Sequence, residues 1–275
     1  MRKLLAAMFM LIDHIGVLFQ PWLPDTVYTL MRSIGRLAFP IFACYIALGF
    51  RRTRNAVHYF LRMAVFAGLT ELVFIYSFQL AGLEKDSANV LFTFLAALAF
   101  LSGYCLFTQS SLDMVGRLEL LPEEGRSQDD KFFQMRLSPF GISLPTWLGR
   151  LLGIAVMGLA LFFAEWFDTD YGAYGVLAVF VFYLSTDERL ETASARIERG
   201  IALFIGLNFL AFLVFNYVWP KGFSELQFLS IFAVPLLFTT RLKDKKASVA
   251  QRYAFYVFYP LHFFLLSLLA HFLKR

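Results

Sequence analysis

Leu11-Ile12-Asp13-His14-Ile15-Gly16 sets a carboxylate and an imidazole side by side inside an otherwise apolar run, residues 4–19. Such a run enters a bilayer as a helix, and an acid at the centre of a membrane helix costs about 2.5 to 3.5 kcal/mol on insertion scales. Both groups are therefore expected to find company inside the protein. The remainder of the chain must supply it.

The surrounding sequence is a membrane protein's. Of 275 residues, 59% are hydrophobic and 18% aromatic, with 34 Phe; the mean hydropathy is +0.63, beyond what a soluble domain hides in one core. The net charge of +5 does not imply nucleic acid, because the basic residues fall between apolar runs and not along one polar face. Cys44 and Cys105 lie inside apolar runs, with neither a disulfide framework nor a metal-ligand spacing, and are read as packing residues. Arg2 and Lys3 ahead of an apolar stretch imitate a signal peptide, but Asp13 and His14 interrupt it and no small-residue cleavage site follows, so the first helix is expected to be retained.

A bilayer core needs about 20 apolar residues per helix, fewer where the membrane thins. Nine runs qualify: 4–19, 35–50, 63–80, 90–107, 148–166, 172–184, 201–218, 226–239 and 253–272. The predicted fold is all-α, a polytopic transmembrane helical bundle of about nine helices, eight to ten being compatible with the short runs ending at Leu184 and Thr239. It is read as a single integral membrane domain over 1–275 with a cytoplasmic insertion at about 109–146, punctuated by Pro122, Gly125, Pro139, Gly141 and Pro145. Lys and Arg collect around 2–3, 51–62, 189–199 and 241–252. By the positive-inside rule this places the N-terminus in the cytoplasm and the C-terminus outside.

Adjacent residues on a helix point about 100° apart, so Asp13 and His14 do not share a face. One can orient while the other reacts, and an imidazole takes and returns a proton near neutral pH as a general base must. Arg32 and Arg36, one turn apart, defy the charge bias of the loops; a partner, either Asp13 or an anionic ligand, would explain them, as would snorkelling to the interface. Pro40 is expected to kink this helix. Glu71 sits within an apolar run with no sequence neighbour able to neutralise it. Asn89 and Thr93 form a polar stripe that helix packing explains equally well. Tyr259 and His262, three apart beside Pro260, put a hydroxyl and a second imidazole on one face. Arg54, His58 and Arg62 read as a positive-inside anchor or as a site for the phosphates of a cytosolic donor. No glycine-rich phosphate loop, nucleophile elbow, HExxH or CxxC occurs, and no metal is expected.

Taken in order, these blocks resemble the TraX family of membrane proteins, named for a conjugal-transfer protein linked to pilin N-terminal acetylation. The blocks are Met10 to Gly16, Gly35-Arg36-Leu37-Ala38-Phe39-Pro40-Ile41-Phe42-Ala43, Thr53 and Asn55 with Tyr59, Leu61 and Arg62, Glu71, Asn89-Val90-Leu91-Phe92-Thr93, Asp170-Tyr171-Gly172-Ala173-Tyr174-Gly175-Val176, and Tyr256 to Pro260 with His262. The segment 110–146 has no counterpart in the resemblance, and 184–242 matches only in hydropathy. The resemblance implies a multi-pass acyltransferase of the bacterial inner membrane that moves an acetyl or other acyl group from acyl-CoA to an acceptor such as a pilin N-terminus. In that scheme His14, Asp13, Arg36 and Glu71 are catalytic, Arg32, Asn89, Asp170, Tyr171, Tyr259 and His262 bind substrate, and Arg54, His58 and Arg62 hold the acyl-CoA. A proton-coupled transporter or exporter built on the same ionisable residues, and a non-enzymatic assembly protein, are the rival readings.

Overall fold

The computed structural model describes residues 2–53, 55–109, 146–186, 192–219, 223–238 and 249–274; most of the 109–146 insertion lies outside them. Among the described residues the regular elements are all helices, and a single parallel bridge joins Ala88 and Thr169. In chain order the helices are α1 (Arg2–Leu18), α2 (Asp25–Gly35), α3 (Ala38–Arg52), α4 (Ala56–Ala81), α5 (Val90–Gln109), α6 (Thr146–Trp166), α7 (Gly172–Ser185), α8 (Ala193–Leu213), α9 (Ala233–Phe238) and α10 (Val249–Leu273). A π-helical turn, Val214–Val218, extends α8, and a 3-10 helix, Glu225–Phe232, leads into α9.

Each of the nine apolar runs meets a helix. Six helical stretches among the described residues are long and apolar enough to cross a membrane: Asp25–Arg52, Ala56–Ala81, Val90–Thr108, Trp147–Trp166, Ser194–Val218 and Tyr256–Leu273. Gly172–Ser185 and Glu225–Leu237 are apolar but shorter, and α1, with 17 residues, spans only about 25 Å at 1.5 Å per residue. The protein is a polytopic helical membrane protein.

The second run starts earlier than its hydropathy predicts, and its break has a definite cause. Pro40 lacks an N–H and its ring crowds the carbonyl four residues back, that of Arg36. The helix accordingly tightens at Arg36 and Leu37, where Leu37 N donates to Ile34 O at 3.1 Å, and resumes at Ala38. Pro260, by contrast, is accommodated inside α10.

The residues group into two units. In the first, comprising Met1–Tyr45, Gly68–Asp86 and Val181–Arg275, α1 packs on α2 and α10. Asp13 lies against Gly35 while Gly16 lies against Met31, so α1 and α2 run antiparallel. A Cβ at Gly35 would sit 2.1 Å from Asp13 Oδ1, so only glycine lets the carboxylate reach this face of α2. The C-terminal half of α4 runs parallel to α10 along an aromatic seam: Phe74 and Phe263 stack at 4.4 Å, and Phe78 meets Phe263 at 5.1 Å.

The end of α4 shows complete accounting of its orphan carbonyls. Gly82 takes φ +66°, Gly82 N donates to Gln79 O and Leu83 N to Phe78 O, both at 3.0 Å, which is a Schellman termination. The two remaining carbonyls go to α10: His271 Nδ1 meets Leu80 O at 3.0 Å, and Lys274 Nζ donates to Ala81 O. Cationic and donor groups at a helix C-terminus also complement its dipole.

The second unit comprises Ile46–Ala67 and Ser87–Phe180. Gly103 of α5 and Gly153 of α6 face each other so closely that a Cβ on either would fall within 3.0 Å of the opposite backbone, a small-residue contact of the kind membrane helices favour. Glu165 Oε1 accepts from Ala173 N at 2.7 Å, placing a carboxylate at the N-terminus of α7. Cys44 of the first unit and Cys105 of the second are buried, and neither forms a disulfide.

Candidate functional site

The 100° between consecutive helical residues sends Asp13 and His14 to different neighbours. Asp13 turns to α2, where Arg32 Nη1 donates to its Oδ2 at 2.6 Å. His14 turns to α10, where its Nδ1 lies 2.7 Å from Nε2 of His262. The two imidazoles are parallel within 4° at a centroid separation of 4.9 Å. That separation is the nitrogen–nitrogen distance plus the two ring radii. The rings therefore meet edge to edge in one plane, as a hydrogen bond between imidazoles requires. His262 Nδ1 in turn sits 2.7 Å from the carbonyl oxygen of Phe258, one helical turn back.

Aromatic rings enclose this pair. Phe263 and Phe74 present edges to His14 at 5.0 and 6.4 Å, Tyr259 lies 6.3 Å from it, and Phe258 stacks on His262 at 4.7 Å. Tyr259, Phe74, Phe263 and His262 are all buried, whereas His14 is only half-buried. In such surroundings an imidazole's lone pair has few competitors, which suits proton transfer.

Of the candidates read from the sequence, the first unit thus brings together Asp13, His14, Arg32, Tyr259 and His262. Arg36 is half-buried at the end of α2, close enough for its charge to act on Asp13. The direct partner of Asp13 is Arg32, so snorkelling does not describe that arginine. Glu71, which has no neutralising sequence neighbour, finds its partner further along the chain and forms an ion pair with Lys85, after the end of α4. Lys85 lies outside the apolar run that drew attention to Glu71, and only the return of the chain after Gly82 brings it back.

The second unit gathers Asn89, Thr93, Asp170 and Tyr171. Asn89 Oδ1 accepts from Leu91 N at 3.0 Å, capping α5, and its Nδ2 donates to Ala67 O at 3.0 Å. Asp170 is exposed, with its N–H donating to Ala88 O at 2.9 Å, while Tyr171 N reaches Thr93 Oγ1 at 3.5 Å. Here too lie His58, exposed in the first turn of α4 and capped through its N–H by Asn55 Oδ1 at 3.0 Å, and Arg62, whose guanidinium lies 5.2 Å from the ring centroid of Tyr59. Arg54 lies outside the described residues. Among those residues no three His, Cys, Asp or Glu groups gather closely enough to hold a metal ion.

What the sequence did not reveal is the direct contact of His14 with His262, 248 residues apart. The only signal was the company each kept: an acid beside one, a tyrosine and a proline beside the other.

Comparison with known proteins adds the context. The probable fimbrial assembly protein FimC, serogroup H1, of Dichelobacter nodosus is 28% identical over 274 residues, covering 99% of this chain and 95% of that protein. No solved structure matches the chain. A family model described as TraX protein matches residues 1–111 and 142–270; it runs through 184–242, where the resemblance had been one of hydropathy alone, and its gap falls within the 109–146 insertion. With the match extending over both units, the chain belongs to the TraX family.

Proposed function

We propose that this protein is a membrane acyltransferase of a fimbrial or pilus assembly system, moving an acetyl or other acyl group from acyl-CoA to an amine or hydroxyl of an acceptor such as a pilin N-terminus. His14 acts as general base. It takes the proton from the acceptor as the acceptor's nitrogen or oxygen bonds to the thioester carbonyl carbon; the C–S bond breaks, and the departing CoA thiolate recovers a proton from the imidazolium. The Asp13–Arg32 pair holds α1 against α2 and so holds the base in place. Arg36 meets an anionic part of the donor or acceptor, and Arg54, His58 and Arg62 meet the phosphates of CoA. Glu71, itself paired with Lys85, remains a candidate for balancing the base, and Asn89, Asp170 and Tyr171 remain candidates for binding the acceptor.

The observation that supports this reading most is the imidazole pair within its aromatic enclosure. It also weighs against the proton-coupled transporter. A relay must pass protons on, and the pair ends at the Phe258 carbonyl, which accepts a hydrogen bond but has no proton to hand further. Full-length protein purified and incubated with labelled acetyl-CoA, and separately with longer acyl-CoAs, tests the proposal. Release of free CoA with transfer of label to an added pilin peptide is expected; the absence of both with every acyl-CoA sinks it.

A further inference from the structure

We propose that His262 is a positioning residue that sets the tautomer of His14, so that His14 presents a bare Nε2 to the acceptor. This rests on the acyl-transfer reading and deepens it. Phe258 supplies the fixed end of the chain of hydrogen bonds. A carbonyl oxygen only accepts, so at 2.7 Å the ring proton of His262 resides on Nδ1. Nε2 of the neutral ring then offers nothing but a lone pair. In the 2.7 Å contact with His14 the donor must therefore be His14 Nδ1–H. A neutral imidazole carries one ring proton, which leaves His14 Nε2 unprotonated.

The geometry holds this arrangement from several sides. The accepting carbonyl belongs to the same helix turn as His262, so α10 itself fixes the ring's rotation. Phe258 stacks on one face of His262 at an interplanar angle of 12°, and Tyr259 lies 6.2 Å away. In triads of serine hydrolases a buried carboxylate orients the catalytic imidazole and stabilises the charge it gains. Here Asp13 is engaged with Arg32 on another face of α1, and a second imidazole takes the orienting role. When His14 gains its proton, the lone pair of His262 Nε2 faces the new cation.

Nitrogen-15 spectra of full-length protein labelled at histidine, in lipid, test the assignment directly. Wild type should show His14 with a proton-bearing Nδ1 and a bare Nε2; the opposite assignment overturns the proposal. Two nearly isosteric variants extend the test. His262→Gln places an amide oxygen near the former Nε2 and keeps the acceptor, whereas His262→Asn keeps only the bond to Phe258. The expected outcome is a single His14 tautomer in wild type and His262→Gln, and a mixture in His262→Asn. With acetyl-CoA as donor, His262→Gln should keep kcat within about tenfold while His262→Asn loses about a hundredfold or more, with KM moved less. Equal rates in the two variants, or one unchanged tautomer in all three proteins, would overturn the role. If no variant transfers acetyl yet the spectra differ as expected, the acyl-transfer reading falls and the tautomer assignment stands.

Discussion

The polar residues of α1 and those around the starts of α5 and α7 direct their hydrogen bonds to different ends. In the second unit the side chains serve backbone: Asn89 caps α5 and holds the carbonyl of Ala67, Thr169 bonds Ala164 O, and Glu165 caps α7. In the first unit the polar residues of α1 meet other side chains, Asp13 with Arg32 and His14 with His262, while His262, His271 and Lys274 of α10 also reach backbone carbonyls. Backbone-directed polar groups satisfy what helix ends leave open. Asp13 and His14 bond side chains and no backbone group, so the needs of helix ends do not explain why these two residues occur in α1. The contrast separates polar residues that cap helix ends from those that pair across helices.

Four substitutions test that contrast, beginning with the largest effect. His14→Ala should lower acyl transfer by about 10²- to 10⁴-fold while leaving folded yield in detergent near that of wild type; full activity removes His14 from the chemistry. Gly35→Val drives a side chain into the space occupied by the Asp13 carboxylate. It should destabilise the protein by about 1 to 3 kcal/mol, read as a lower thermal midpoint, and an unchanged midpoint would mean that α1 and α2 do not approach so closely. Asn89→Ala removes a helix cap and should cost about 1 kcal/mol. If transfer per folded molecule falls as well, Asn89 belongs with the chemical set and the contrast weakens. Lys274→Met removes one cationic cap from α4 and should cost about 0.3 to 1 kcal/mol, seen as a small drop in midpoint that rising salt diminishes.

Much of this was legible in the chain. The hydropathy runs met each of the six stretches that are long and apolar enough to cross a membrane among the described residues, because burial in lipid demands uninterrupted apolar length. Asp13, His14 and His262 stood out because an ionisable group within such a run is costly without a use, and Arg32 because it defies the charge bias of the loops. Less legible were the pairings. Asp13 was a possible partner for Arg32 and Arg36 alike, and the break imposed by Pro40 falls at Arg36 itself and leaves Arg32 within α2, bonded to Asp13. Glu71 looked isolated because Lys85 comes after a turn whose geometry depends on Gly82. The role of His271 and Lys274 in completing the end of α4 had no local signal, because the carbonyls they bond lie 191 and 193 residues earlier.

By itself the sequence determined the solvent: a chain this apolar, with charges gathered between its runs, must fold as helices in a membrane, since lipid offers backbone groups no other partner. It also determined which residues carry an unusual cost. Tertiary structure alone decided how that cost is met, because partners 19 and 248 positions away are chosen by the packing of α1 between α2 and α10 and leave no trace in local periodicity. The face that Asp13 turns to Arg32 and the face that His14 turns to His262 differ by one residue's rotation of a single helix, and that rotation has consequences only once both neighbouring helices are in place.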